Sequence, residues 1–261
     1  MNELYKRSLY TIKAKWLIHE IWEYDISKAN ISILLQYGFI SQNEFNMYSQ
    51  MNKLQRQIAI GRLQQNPEYA KVISTGFEES RKSLIMSNDI KEDEIVSIKK
   101  DAVYTLKKLD VIDFGNIHFT LRGLYQIFLI CMGLEIYFNW DERTDSYDIQ
   151  VKGISDDKLY LHEPMISAIC DILRNVQTNN IKVAMQMITQ LRHKYVNFEL
   201  PIEYYREFNS SSAYRFKGMD YGVIDLTEDE KVSLKKFIEP GYNNAFLVEL
   251  HKILMEILFT R

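Results

Sequence analysis

Apolar and polar residues alternate with two different periods along the chain. Residues 3–22 place Leu4, Leu9, Ile12, Trp16, Leu17 and Ile21 irregularly, a pattern that fits a strand followed by a helix. Residues 26–37 predict a turn into a helix that ends at Gly38, the usual residue of a left-handed helix cap. Residues 43–65 predict a second helix stopped by Pro67. Residues 69–86 predict a third, with Val72, Ile73, Phe77, Leu84 and Ile85 at helical spacing. The period then shortens. Residues 94–109, EIVSIKKDAVYTLKKL, carry β-branched and aromatic residues on both sides of Lys99, Lys100 and Asp101, which is a hairpin signal. Further strand-like runs cover 111–121, 147–154 and 158–161. Helical patterns return at 164–176, 181–196 and 243–259, and Thr227 followed by Glu230 marks another helix start. The class is mixed α+β.

Composition narrows the functional range. The chain has 261 residues, 46% hydrophobic and 26% charged, which excludes a disordered, collagenous or coiled-coil protein and allows one large or two small domains. Cys131 and Cys170 are too few for a disulfide framework and lack zinc-site spacing. The most apolar stretch, 124–138, contains Gln126 and Glu135 and is shorter than the ~20 residues of a membrane span, so it reads as a buried element. No signal-peptide core is present in residues 1–24, and a cytoplasmic location is expected. The five histidines form no HxxxH or HExxH pair, and neither a phosphate-binding GxxxxGK[ST] loop nor a GxGxxG turn occurs. The net charge of −3 divides unevenly: residues 1–110 hold 16 basic and 14 acidic residues, residues 111–261 hold 16 and 21.

Two aspartates stand out by context. Asp25, in EYDISKANISIL, lies where a strand end meets a helix start, and Asp101 lies at the tip of the hairpin IVSIKKDAVYT. Hard carboxylate oxygens on rigid strand ends suit the holding of paired Mg²⁺ ions during phosphoryl transfer. Each also has an ordinary reading, Asp25 as a helix N-cap and Asp101 as a solvated hairpin tip. DISKANISIL resembles motif A of the family A and family B DNA polymerases, and the resemblance sets their metal-binding aspartate on Asp25. It sets their sugar-sensing Glu or Tyr on Asn30, a smaller residue. KLQRQIAIG is similar to the fingers helix of family A: Arg56 and Gly61 match its basic residue and glycine, and Lys53 its second basic position. Gln64 and Gln65 replace the Tyr-Gly that closes that pattern. YAKVISTGFEESRKSLI followed by IVSIKKDAVYT resembles the palm helix and motif C hairpin, with Asp101 at the second metal-binding aspartate. Lys100 and Ala102 occupy positions that are often acidic in those families.

The resemblance covers residues 20–110 and implies a polymerase-like palm with short helical fingers over residues 1–114. Residues 115–261 become a mostly helical, thumb-like α+β region. Only 24 residues precede Asp25, so a reduced or split enzyme of phage or mobile-element type is expected. Asp25 and Asp101 are the catalytic and metal-holding candidates for Mg²⁺ or Mn²⁺. Asn30, Lys53 and Arg56 are the nucleoside-triphosphate candidates, and Lys53 with Arg56 is otherwise an ordinary wet helix face. Lys99 and Lys100 are expected at a primer backbone. In residues 199–222 aromatic and basic residues interleave, and Tyr204, Arg206, Arg215 and Lys217 are candidates for a single nucleic-acid strand, the alternative being aromatics that pack on the core. The expected activity is extension of a nucleic-acid 3′ end on a primer-template or single strand, with a partner subunit allowed. The alternative is a non-catalytic replication accessory with a degenerate palm.

Overall fold

The computed structural model describes residues 3–222, 227–239 and 241–260. The chain divides into two compact units, Met1–Lys13 with Glu20–Leu124 and Ala14–His19 with Tyr125–Arg261. The second unit begins at Tyr125, within the strand Ile117–Cys131.

In the first unit, β1 (Leu9–Thr11) and β2 (Trp16–Ile26) precede four helices, α1 (Ala29–Gln36), α2 (Gln42–Gln50), α3 (Lys53–Leu63) and α4 (Pro67–Ser87). They are followed by the hairpin β3 (Ile95–Lys99) and β4 (Ala102–Thr105), the short β5 (Asp113–Phe114), and β6 (Ile117–Cys131). The strands run β1-β3-β4-β2-β6, with β5 on β6. Trp22, Tyr24 and Ile26 alternate along β2 towards a core shared with Ile33 of α1, Leu84 and Ile85 of α4, and Ile98 and Val103 of the hairpin. Period-two alternation therefore turns Glu23 and Asp25 to the other face. A second cluster, Ile31, Leu34, Ile60 and Ile73, joins α1, α3 and α4. Gly76 lets α4 approach α1, since a Cβ there would lie 2.2 Å from Ile33 Cγ2.

Three sequence expectations need correction. The second half of residues 3–22 is strand, not helix: Trp16–Ile26 is rich in aromatic and β-branched residues that fill a half-buried sheet. Residues 43–65 form two helices, because Met51 is extended and Asn52 accepts from the Gln55 backbone N–H at 2.9 Å as the N-cap of α3. Residues 158–161 are helical turns rather than strand.

In the second unit the end of β6 pairs with β7 (Leu134–Asp141), and β7 with β8 (Ser146–Lys152). The apolar stretch 124–138 is thus a hairpin, turning at Met132 and Gly133, both with positive φ. The helices α5 (Asp156–Leu159), α6 (Glu163–Gln177) and α7 (Ile181–Val196) follow, then a two-stranded sheet of β9 (Tyr214–Phe216) and β10 (Met219–Tyr221), α8 (Glu228–Lys235) and α9 (Tyr242–Thr260). One core unites the faces of β6, β7, α6, α7 and α9. Thr227 and Glu230 form the anticipated capping box. Cys131 and Cys170 are buried and unbridged. Among the described residues no helix is long and apolar enough to cross a membrane.

Candidate active site

The end of β2 is fixed by short-range chemistry. Ser27 donates its backbone N–H to the His118 carbonyl at 2.9 Å, and its hydroxyl pairs with that of Thr120 at 2.6 Å, which ties the strand end to β6. Lys28 then takes a left-handed conformation (φ 51°) and α1 begins at Ala29 without a side-chain cap. Asp25 is therefore not an N-cap.

The tip of the β3–β4 hairpin is equally well held. Lys100 has φ 55°, its N–H donates to the Ser8 carbonyl at 2.7 Å, and its carbonyl accepts from Arg81 Nη1 at 2.6 Å. Arg81 is buried in α4 and also donates from Nε to the Tyr5 carbonyl. The Ile26 N–H donates to the Asp101 carbonyl at 3.3 Å. In the β2–β4 register Asp25 stands opposite Ala102, the residue next to Asp101. The hairpin tip is thus paired to the end of β2 through its backbone and tied to α4 by a buried cation.

Both carboxylates line one cleft of about 440 Å³. Helix α3 contributes Lys53, Arg56, Gln57 and Ile60, the i, i+3, i+4 and i+7 positions of a single face. Arg56 is half-buried and donates from Nη1 to the Met51 carbonyl at 3.2 Å. The loop after β2 and the start of α1 add Lys28 and Asn30, and β6 adds Arg122. Two acids and four cations therefore face one small space.

Asp25 is the perturbed member. Burial, reinforced by the nearby Asp101 charge and only partly offset by Arg122, pushes its carboxyl up to about 6. Its Oδ1 is buried with no hydrogen-bond partner among the described residues, and its Oδ2 lies 3.6 Å from Arg122 Nε. Among those residues no group of three or more His, Cys, Asp or Glu could surround a metal. Two carboxylates at one cleft are nonetheless the number that suits Mg²⁺, which characteristically takes one or two protein carboxylates and completes its shell with water and substrate phosphates.

Of the residues selected from sequence, Asp25, Asn30, Lys53, Arg56 and Asp101 meet at this cleft. Lys99 and Lys100 do not line it: Lys99 is half-buried with Nζ donating to Thr11 Oγ1 at 3.0 Å, and the Lys100 side chain is exposed. The aromatic-basic segment belongs to the second unit and spends its rings on packing, against the stacking expectation. Tyr205 and Tyr214 are buried, and Tyr204 lies half-buried on the core. Arg206 covers the Tyr214 ring at 5.1 Å and Arg215 pairs with Glu239 at 3.9 Å, while Lys217 is exposed. Sequence reasoning missed Lys28, Arg81 and Arg122. The first follows a candidate aspartate by three positions and was legible; the other two reach the site only through tertiary pairing.

No curated protein matches this chain. A family model described as bacteriophage PBS1 gene 130 protein matches residues 1–256, and the chain belongs to that family, in keeping with a phage origin.

Proposed function

We propose that the first unit is a nucleotidyl-transfer module with a polymerase-like palm, extending a nucleic-acid 3′ end with nucleoside triphosphates in the host cytoplasm. The observation that carries this reading is the convergence of Asp25, Asn30, Lys53, Arg56 and Asp101, drawn from three separate chain segments, on one cleft. Asp25 and Asp101, the two carboxylates that line the cleft, would hold the divalent cation. When bound, Mg²⁺ or Mn²⁺ supplies charge neutralisation at the phosphates and acidifies the attacking hydroxyl. Lys53 and Arg56, on one face of α3, bind the triphosphate and orient it for in-line attack. The 3′ oxygen then bonds to the α-phosphorus as its proton passes to water and pyrophosphate leaves. Asn30 lies under the sugar. The second unit serves as the thumb-like region or as the docking surface for a partner subunit.

Primer extension with Mg²⁺ and with Mn²⁺ tests the reading. Asp25→Asn and Asp101→Asn are each expected to abolish extension with unchanged circular dichroism, and variants that extend as well as the parent overturn it. One observation favours a second reading, a non-catalytic nucleic-acid-binding accessory with a degenerate palm: Asp101 is flanked by Lys100 and Ala102, and no third metal-ligating side chain joins the pair among the described residues. Salt-sensitive binding of nucleic acid without extension by the parent selects that alternative.

A further inference from the structure

Arg122 stands on the part of β6 that the Ser27–Thr120 hydroxyl pair holds against the end of β2. Its Nε lies 3.6 Å from Asp25 Oδ2 and its side chain is 52% exposed. Its two Nη groups donate to no acceptor among the described residues. So exposed and so long an ion pair contributes little to stability. What it does fix is a position: the Nε edge of the guanidinium lies beside Asp25, in a residue that lines the cleft and whose exposed fork of N–H donors suits phosphate oxygens. The Asp25 carboxylate is divided, Oδ2 towards Arg122 and Oδ1 buried and unsatisfied.

We propose that Arg122 is a polyphosphate-binding residue of this cleft, aimed by Asp25 Oδ2. The inference rests on the nucleotidyl-transfer reading and adds to it the residue that couples the cation to the phosphates. Asp25 is a positioning residue for Arg122 as well as a cation ligand. Lys53 and Arg56 grip the phosphates from α3, and Arg122 meets them from the sheet. A guanidinium beside the carboxylate also opposes a second cation there. Removing it therefore has two consequences of opposite sign: weaker phosphate binding and stronger metal binding.

Both are measurable on the full chain without catalysis. Calorimetric binding of inorganic tripolyphosphate in EDTA at low salt is expected to weaken about tenfold in Arg122→Gln, the scale of one lost charge-assisted contact. Binding of Mn²⁺ alone, followed by electron paramagnetic resonance, is expected to tighten about threefold, because the like charge beside Asp25 is gone. Arg122→Lys restores the charge without the fork, so it should return Mn²⁺ affinity to the parent value and recover only part of the tripolyphosphate affinity. Parent-like tripolyphosphate affinity in Arg122→Gln overturns the inference, and so does a loss of both affinities together, which marks a merely structural role. A parent chain that binds neither probe overturns the nucleotidyl-transfer reading itself; one that binds both, with Arg122→Gln unchanged, overturns the role of Arg122 alone.

Discussion

Each unit contains a carboxylate with one buried, unsatisfied oxygen and a raised pKa, and the two have opposite surroundings. Asp25 Oδ1 in the first unit belongs to a residue that lines an open, cation-rich cleft. Glu207 Oε1 in the second belongs to a residue only 2% exposed. Burial, opposed by backbone N–H groups of Tyr242 and Asn243, pushes the Glu207 carboxyl up to about 7. Its Oε2 accepts from the Asn243 N–H at 3.2 Å at the start of α9, where a carboxylate complements the helix dipole. Gly241 leaves it room, since a Cβ there would lie 2.4 Å from Oε1. Asn243 in turn donates to the Tyr204 and Arg206 carbonyls, each at 2.8 Å, and accepts from the Phe208 N–H. Glu207 is thus a clamp that holds a loop on a helix end. A perturbed carboxylate marks a site only where a ligand can reach it, so the shift alone is a weak functional signal.

The largest expected difference between the two carboxylates is catalytic. Asp25→Asn is expected to lower primer extension by at least about 10²-fold, the scale of losing a group that stabilises transition-state charge. Glu207→Gln is expected to leave extension within about twofold, since hydrogen bonding to the α9 start survives. Extension lost in Glu207→Gln and kept in Asp25→Asn reverses the two assignments.

Protonation separates the residues next. The folded-state pKa of Glu207 lies above its ordinary 4.5, so its contribution to stability is fully present below 4.5 and is lost as pH rises through about 7. The shift corresponds to about 3 kcal/mol. Hydrogen exchange at 204–208 and 242–246 should therefore be faster, relative to intrinsic rates, at pH 8 than at pH 5, and Glu207→Gln should flatten that dependence. Asp25 has the same sign in a lower window: its contribution is present below 3.8 and lost through about 6. Asp25→Asn should flatten the window from 4 to 6 and leave the upper one intact. A pH profile unaffected by either variant contradicts the burial argument for both.

The two regions also differ in how much of them could be read from the chain. The hairpin at Asp101, the strand end at Asp25 and the basic face of α3 are local patterns, and local patterns carried Asp25, Asn30, Lys53, Arg56 and Asp101 to one cleft. Arg81 and Arg122 were not legible, because what makes them relevant is a part-buried bond to the Lys100 carbonyl and a strand pairing that spans some ninety residues of chain. In the second unit, the interleaving of aromatic residues with Arg and Lys over 199–222 fits a nucleic-acid surface and a set of core-packed rings equally well. The apolar interior holds Tyr205 and Tyr214, and nothing short of tertiary burial distinguishes the two uses. The single helix expected over 43–65 failed for a smaller reason, one Asn.

That Asn provides the finest test. Asn52 accepts from the Gln55 N–H, while the Gln55 side chain accepts from the Asn52 N–H at 3.3 Å, so the start of α3 is held by a reciprocal pair. Asn52→Ala removes one half of it and is expected to cost about 1 kcal/mol, read as a lower midpoint in urea unfolding. The same substitution loosens the turn that presents Lys53 and the Met51 carbonyl to which Arg56 is anchored. Tripolyphosphate binding should therefore weaken by about two- to threefold, well short of the loss in Arg122→Gln, with Mn²⁺ binding unchanged because neither aspartate is on α3. An equal loss of Mn²⁺ affinity would mean that α3 supports the acidic side of the cleft as well, and its role could no longer be confined to the phosphates that Arg122 meets from the sheet.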